Sequence, residues 1–212
     1  MKFGRKVASA RALLDWSQSE LAERTNLDQK TISFIEKSVT DARDSTLDKI
    51  QRALELAGID FLPAGVQYNP KFMTIFEGDR FYLDLLDDVY YSLLDKRDAE
   101  LLIMYGDDKL SPPEVNDRYR KMRNSGIKMR QLAEEGNEYL IGPLDEYRYI
   151  PKKFFNNYVT LVYGDKIAAC ADVNTKAVVF DDPLMAKTSR NTFNLLWSLL
   201  EKPERSVADE RF

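Results

Sequence analysis

The sequence has no histidine and only one cysteine in its 212 residues. A chain without histidine cannot form a Ser-His-Asp or Cys-His nucleophilic site, or a zinc site built on histidine. The single cysteine, Cys170, excludes a disulfide within the chain and fits a reducing cytoplasm. These absences argue against an enzyme, and we predict no catalytic residues, no metal site and no cofactor.

Long apolar runs are missing as well. No segment approaches the ~20 apolar residues that cross a bilayer, and the first residues lack the apolar stretch of a signal peptide. Hydrophobic residues still make up 44% of the chain, which is enough to supply a core. We therefore expect a globular cytoplasmic protein without membrane contact, with room for one large or two small domains.

Residues 16–37 carry the most informative pattern in the chain. Ser17 is a favourable N-cap, and it predicts a helix over Gln18 to Thr25. The chain must then turn sharply at Asn26, a residue type that tolerates positive φ. A second helix follows over Gln29 to Lys37. Two short helices around a tight turn are the layout of a helix-turn-helix, which places its second helix in the DNA major groove.

The second of these helices has an apolar and a polar side. Ile32 and Ile35 follow helical spacing and are expected to face inward. The opposite face carries polar side chains that can bond to base edges or phosphates. These residues are Gln29, Lys30, Ser33 and Lys37. For Phe34, two interpretations stay open: an exposed aromatic near DNA, or a packing residue.

This segment resembles the Cro/C1-repressor (XRE) helix-turn-helix family over about residues 5–58. The residues that carry the resemblance are Gln18, Leu21, Ala22, Leu27, Thr31, Ile32, Ile35 and Glu36. The resemblance implies that Gln18 contacts phosphate, and that Arg11 and Glu36 form a structural ion pair. It also implies base readout from the start of the second helix. The candidate DNA-binding residues are Gln18, Gln29, Lys30, Thr31, Ser33, Lys37 and Arg43.

A plainer interpretation is that these are two amphipathic helices of an ordinary bundle. Apolar periodicity alone fits both interpretations, but the combined pattern Q-x2-L-A-x8-T-I-x2-I-E is much more specific and favours DNA binding.

Charge is spread unevenly over the chain, whose net charge is −4. Residues 1–59 hold 10 basic and 9 acidic side chains, whereas the remainder holds 21 basic and 26 acidic ones. The acidic remainder should not touch DNA. A nearly neutral DNA-binding domain predicts modest affinity for a single copy and a marked dependence on dimerisation.

The domain organisation that we expect has four parts. Residues 1–62 form the helix-turn-helix domain, with further helices over Arg5 to Asp15 and over Thr46 to Ala57 after a Ser45 cap. Residues 63–77 form a linker, 78–202 an α/β domain, and 203–212 a frayed polar tail. The short apolar segment Ile59 to Pro63 either pairs with its copy in a dimer or begins a strand.

The α/β assignment rests on helices that alternate with apolar strands. We predict helices over Asp79 to Leu94, Pro112 to Asn124 and Pro183 to Leu200. Strands are predicted over Glu100 to Tyr105, Ile127 to Ala133, Tyr147 to Ile150, Tyr158 to Tyr163, Lys166 to Ala171 and Lys176 to Phe180. The fold class is therefore α + α/β: an all-α helix-turn-helix domain followed by an α/β domain.

Residues 78–200 are similar to the effector domain of TrmB-like regulators, which is related to the phospholipase D fold. The resemblance is carried by the Tyr-Gly-Asp-Lys turn at 163–166 and by Phe193 and Trp197 on the last helix. Phospholipase D chemistry needs a histidine nucleophile, so the resemblance implies a catalytically dead fold used for sensing or dimerisation.

The acidic pairs Asp107–Asp108 and Asp181–Asp182 could recruit a metal at strand ends. They are more often solvated loop carboxylates or helix caps, and Asp182 precedes Pro183, where a cap is expected.

These observations together predict a transcriptional regulator, a repressor that binds a palindromic operator in double-stranded DNA as a homodimer. Its second domain would join the subunits and take a small-molecule or protein effector. One alternative is an antitoxin-like autoregulator whose second domain binds a partner protein. Another is an enzyme with a DNA-binding appendage, such as a nuclease, which the lack of histidine disfavours.

Overall fold

The computed structural model describes residues 1–38, 42–69, 71–171 and 175–209. The chain divides into two compact units, Met1–Lys71 and Phe72–Phe212. Residues 39–41 of the predicted loop Ser38 to Ser45, and the last three residues of the predicted tail, lie outside the described part.

The first unit contains four helices and a two-stranded sheet. They are α1 (Phe3–Leu13), α2 (Gln18–Thr25), α3 (Gln29–Glu36), α4 (Asp44–Leu56), β1 (Ile59–Phe61) and β2 (Val66–Tyr68). All four helices contribute to one apolar core. Its buried members are Val7, Ala10, Leu21, Ala22, Ile32, Ile35, Ile50, Leu54 and Ile59.

Close packing of α1 on the end of α3 depends on Gly4. A Cβ atom at this position would lie 1.9 Å from the backbone oxygen of Ile35. Only glycine lets the two helix backbones approach this closely, so the first turn of α1 can pack directly on the end of α3.

Several predicted helix boundaries were wrong by about two residues. The first helix ends at Leu13 and not at Asp15, because Asp15 has a φ of 55° and cannot continue a right-handed helix. The fourth helix begins at Asp44, with Arg43 in the N-cap position, so Ser45 lies inside the helix and is not its cap.

The segment predicted as a linker, 63–77, is largely strand. β2 pairs antiparallel with β1 of the same chain, from Ile59 opposite Tyr68 to Phe61 opposite Val66. Residues Met73–Glu77 form β3, an edge strand of the second unit. The apolar segment after α4 therefore begins a hairpin.

The second unit is a seven-stranded mixed sheet with helices. Its elements are β3, α5 (Phe81–Leu93), β4 (Glu100–Met104), α6 (Pro113–Asn124), β5 (Lys128–Glu134), β6 (Tyr147–Ile150), β7 (Thr160–Tyr163), β8 (Lys166–Ala171), β9 (Lys176–Asp181) and α7 (Pro183–Leu199). The strand order is β3-β9-β8-β7-β4-β5-β6. Strands β4, β5 and β6 are parallel, and the other pairs are antiparallel. The predicted fold class is confirmed.

Helices lie on both faces of this sheet. On one face, Asp88 of α5 accepts hydrogen bonds from Tyr163 Oη at 2.8 Å and from Lys166 Nζ at 2.8 Å. On the other face, Phe193 of α7 packs in a cluster with Leu102 and Val162. Successive strand residues point to opposite faces, so Val162 and Tyr163 mark the two sides.

Asp108, which follows the carboxyl end of β4, is a hydrogen-bonded acceptor and not a solvated loop carboxylate. It accepts hydrogen bonds from Tyr147 Oη at 2.7 Å, Ile141 N at 2.9 Å and Gln131 Nε2 at 3.1 Å. No group of three or more acidic or cysteine side chains within the described residues is arranged to hold a metal. Asp182 is the predicted cap of α7 and accepts from Met185 N at 2.8 Å.

The predicted frayed tail is held against the second unit as far as Val207. Arg205 donates to Glu138 Oε1 at 2.8 Å, and Val207 N donates to Glu138 O at 2.8 Å. Ser206 Oγ donates to Leu140 O at 2.7 Å. Among the described residues, no helix is long and apolar enough to cross a membrane.

Candidate nucleic-acid interface

The turn between α2 and α3 is built from local sequence signals. Ser17 Oγ accepts from Glu20 N at 3.0 Å and begins α2. Asn26 ends the helix with φ 51° and ψ 48°, as its residue type allows. Leu27 N then donates back to Ala22 O at 2.8 Å. The predicted α2 range and the predicted left-handed residue are both confirmed.

Helix α3 separates its apolar and polar residues as predicted. Ile32 and Ile35 are buried in the core of the first unit. Gln29, Lys30 and Lys37 are exposed on the opposite side. Lys37 caps the helix, which ends at Glu36.

The outer face of α3 also includes three less polar or less exposed residues, Thr31, Ser33 and Phe34. Thr31 and Ser33 are partly buried at its two borders. The Phe34 side chain is 39% exposed and lies on the same outer side as Lys30. Of the two interpretations that the sequence left open, the structure supports the exposed aromatic.

The polar side chains of this outer face are not paired with other residues of the described part of the chain. Within the described residues, the side chains of Gln29, Lys30, Lys37 and Arg43 make no hydrogen bond or ion pair. Arg43 is exposed at the start of α4. This surface therefore offers amide, ammonium and guanidinium donors to an external acceptor.

A nearly buried polar network fixes α3 against α1 and α2. Arg11 Nε donates to Glu36 Oε1 at 2.9 Å, and a second Arg11 nitrogen donates to Trp16 O. Gln18 Nε2 donates to Glu36 Oε2 at 2.7 Å. The Arg11–Glu36 ion pair that the resemblance implied is thus present in the structure.

The Gln18–Glu36 bond was not anticipated from the sequence, since it depends on how α2 crosses the end of α3. An amide nitrogen carries two hydrogens, so this bond leaves Gln18 a second donor. Gln18 therefore has a structural contact in addition to the phosphate contact expected for it.

The first unit matches a known protein family. Residues 7–61 match the helix-turn-helix family model. The N-terminal unit is a helix-turn-helix domain, and the resemblance of this segment to that family is confirmed. A comparison with curated proteins gave no match.

Two solved structures are similar to larger parts of the chain. One is Nuc, a phospholipase D family member from Salmonella typhimurium, with 11% identity, a TM-score of 0.45, and coverage of 63% of this chain and 98% of that chain. The other is TrmBL2, an archaeal chromatin protein, with 14% identity, a TM-score of 0.42, and coverage of 82% of this chain and 67% of that chain. These are the two families that the second half of the sequence resembles.

Among the described residues, the titratable groups with shifted pKa values belong to the second unit. Burial raises the pKa of the Tyr147 and Tyr163 phenols, and each donates to a carboxylate, Asp108 or Asp88. Burial raises the pKa of the Cys170 thiol to about 11. These groups stay neutral and serve packing, so they do not point to a reactive site.

Proposed function

We propose that the protein binds a specific site in double-stranded DNA and regulates transcription, as a repressor that occupies a palindromic operator as a homodimer. The observation that carries the proposal is the outer face of α3 in a helix-turn-helix domain. Its polar side chains have no partner within the described residues, whereas the polar residues behind it are tied together.

The residues divide into two roles. Gln29, Lys30 and Ser33 at the start of α3 would contact base edges, with Thr31 beside them. Gln18, Lys37 and Arg43 would hold phosphates, which position the helix but carry no sequence information.

The low DNA affinity expected for a single helix-turn-helix domain supports the proposed homodimer and palindromic operator. Residues 1–59 are almost neutral in charge, so one copy gains little from phosphate attraction. Two copies related by a two-fold axis would bind half-sites one or more helical turns apart. The sequence has no histidine to serve as a phospholipase D nucleophile, so we propose a binding role without catalysis for the second domain.

Substitutions on α3 test this proposal. Once a preferred duplex has been selected, Lys30→Ala and Gln29→Ala should each weaken its binding by about 1–3 kcal/mol, roughly 5- to 150-fold, with little effect on random DNA. Lys109→Ala is the matched control, since Lys109 is an exposed lysine of the second unit. Equal losses on selected and random DNA would show phosphate contacts alone, and unchanged affinity would refute the role of α3.

A further inference from the structure

Strands β3 and β9, at one edge of the second unit's sheet, carry apolar side chains on the face that α7 packs against. In the β3–β9 pair, Met73 lies opposite Phe180, and Ile75 lies opposite Val178. The alternate residue Phe76 is buried on the α5 side. Met73, Ile75, Val178 and Phe180 therefore share the other face, the one that carries α7. We call these four residues the recess.

The recess belongs to a row of apolar side chains that crosses four neighbouring strands, and α7 covers only part of this row. Val162, Ile167, Phe180 and Met73 are neighbours across β7, β8, β9 and β3. Val162 and Ile167 pack with α7. Met73 and Ile75, on the edge strand, are almost half exposed. An apolar sheet face of this kind is normally covered by another layer.

Helix α7 carries a matching projection. Leu184, Leu195 and Leu199 lie on one outward stripe and are 73%, 60% and 72% exposed. The rest of this stripe is uncharged, although 31% of the residues in the chain are charged. We call these three leucines the ridge.

The recess lies beside the ridge on the same side of the molecule. Asn194 of α7 accepts from Arg130 of β5 at 2.8 Å, so that flank of the helix faces β5. The opposite flank carries Met185 and faces the β9 and β3 side of the sheet. The ridge on α7 and the recess on β3 and β9 are thus adjacent apolar surfaces.

We propose that the ridge of one copy packs into the recess of a second copy, and the reverse, to form the two-fold dimer of this protein. A two-fold interface uses one self-complementary patch twice, which requires a projection and a matching surface on the same chain. This inference rests on the proposed function, because it takes the homodimer proposed there and names the surface that holds the two copies together.

The charge and the size of the patch both fit a second copy. Among the described residues, charge lies at the border of the patch, in the cross-strand pair Glu77 and Lys176 and in Lys187 on the far flank of α7, so two identical patches would meet without burying a charge. Helix α7 has 17 residues and is about 25 Å long. A standard stable interface buries about 800 Å² per partner, a requirement that the two symmetric contacts of a two-fold dimer would share.

The test is the mass of the full-length protein, without DNA, by analytical ultracentrifugation at micromolar concentration. The wild type should have twice the 24.5 kDa chain mass. Leu195→Glu and Ile75→Lys should each raise the dimer dissociation constant at least 100-fold while circular dichroism stays unchanged. Leu110→Glu is the matched control, since Leu110 is 65% exposed outside the patch and its change should leave the dimer intact.

Mixing the two disruptive variants tests the reciprocal geometry. In a mixed dimer, the glutamate introduced on the ridge of one chain would meet the lysine introduced in the recess of the other, while the second ridge and recess stay native. The mixture should therefore regain a dimer that neither variant forms alone. A monomeric wild type, or variants that remain dimers, would overturn the assignment. Sequence-specific DNA binding is measured separately, so a failure here is distinguishable from a failure of the proposed function.

Discussion

Glu36→Gln should lower the free energy of unfolding of the first unit by about 3 kcal/mol. The Glu36 side chain is 7% exposed and accepts from Arg11 at 2.9 Å and from Gln18 at 2.7 Å. Removing one partner of a buried ion pair costs about 3–5 kcal/mol because the other charge is left uncompensated. Arg11 is 22% exposed and keeps its bond to Trp16 O, which places the cost at the low end.

The two tryptophans make this measurable, because Trp16 lies in the first unit and Trp197 in the second. In a Trp197→Phe background, urea unfolding followed by fluorescence reports on the first unit alone. Glu20→Gln is the matched control: Glu20 pairs with Arg24 near the surface of the same unit, and its loss should cost under about 1 kcal/mol.

A double substitution separates the ion pair from general packing. Arg11→Met with Glu36→Met removes both charges, so it should cost less than the sum of the two single changes. If Glu36→Gln lowers the free energy of unfolding no more than Glu20→Gln does, Glu36 does not join α1 and α2 to α3.

Three further predictions concern single side chains. Phe34→Ala should abolish discrimination between thymine and uracil in a selected duplex, since phenylalanine contacts the thymine methyl group; titration that shows equal discrimination in both proteins would contradict this. Gly4→Ala should destabilise the first unit by at least about 2 kcal/mol in urea, since its Cβ would overlap Ile35 O, and an unchanged midpoint would refute the close approach. The Cys170 thiol has a pKa of about 11 when folded and 9.0 ordinarily, so it ionises first in the unfolded chain. As the pH rises from 9 to 11, this thiol should lower the free energy of unfolding of the second unit by up to about 1.4 kcal/mol per pH unit. The decrease should be steeper than in Cys170→Ala, and equal slopes in the two proteins would contradict the raised pKa of Cys170.

The local elements of the fold could be predicted closely from the sequence. Helix α2 and strands β6 and β8 have the predicted bounds, since caps, turns and alternation act over a few residues. Strand β3 was missed because its partner β9 is about 100 residues further along the chain. No local signal marks such an edge strand, and its five residues read equally well as a linker.

In the candidate site, too, the features set by local sequence could be predicted and those set by distant contacts could not. Helical periodicity was enough to place Lys30 and Lys37 on the outer face of α3. The Gln18–Glu36 bond and the hydrogen bonds of Asp108 depend on how distant segments meet, which residue spacing does not encode. For Asp108, the sequence offered only an acidic pair before a turn, and the three donors that bind it come from β5, β6 and the segment between them.

The most direct test of DNA recognition by α3 is selection of binding sites from random duplexes, with wild-type protein and Lys30→Ala in parallel. We expect a palindromic consensus for the wild type and, for Lys30→Ala, relaxed preference at one position in each half-site. No enriched sequence for the wild type, or the same consensus and affinity for both proteins, would contradict it.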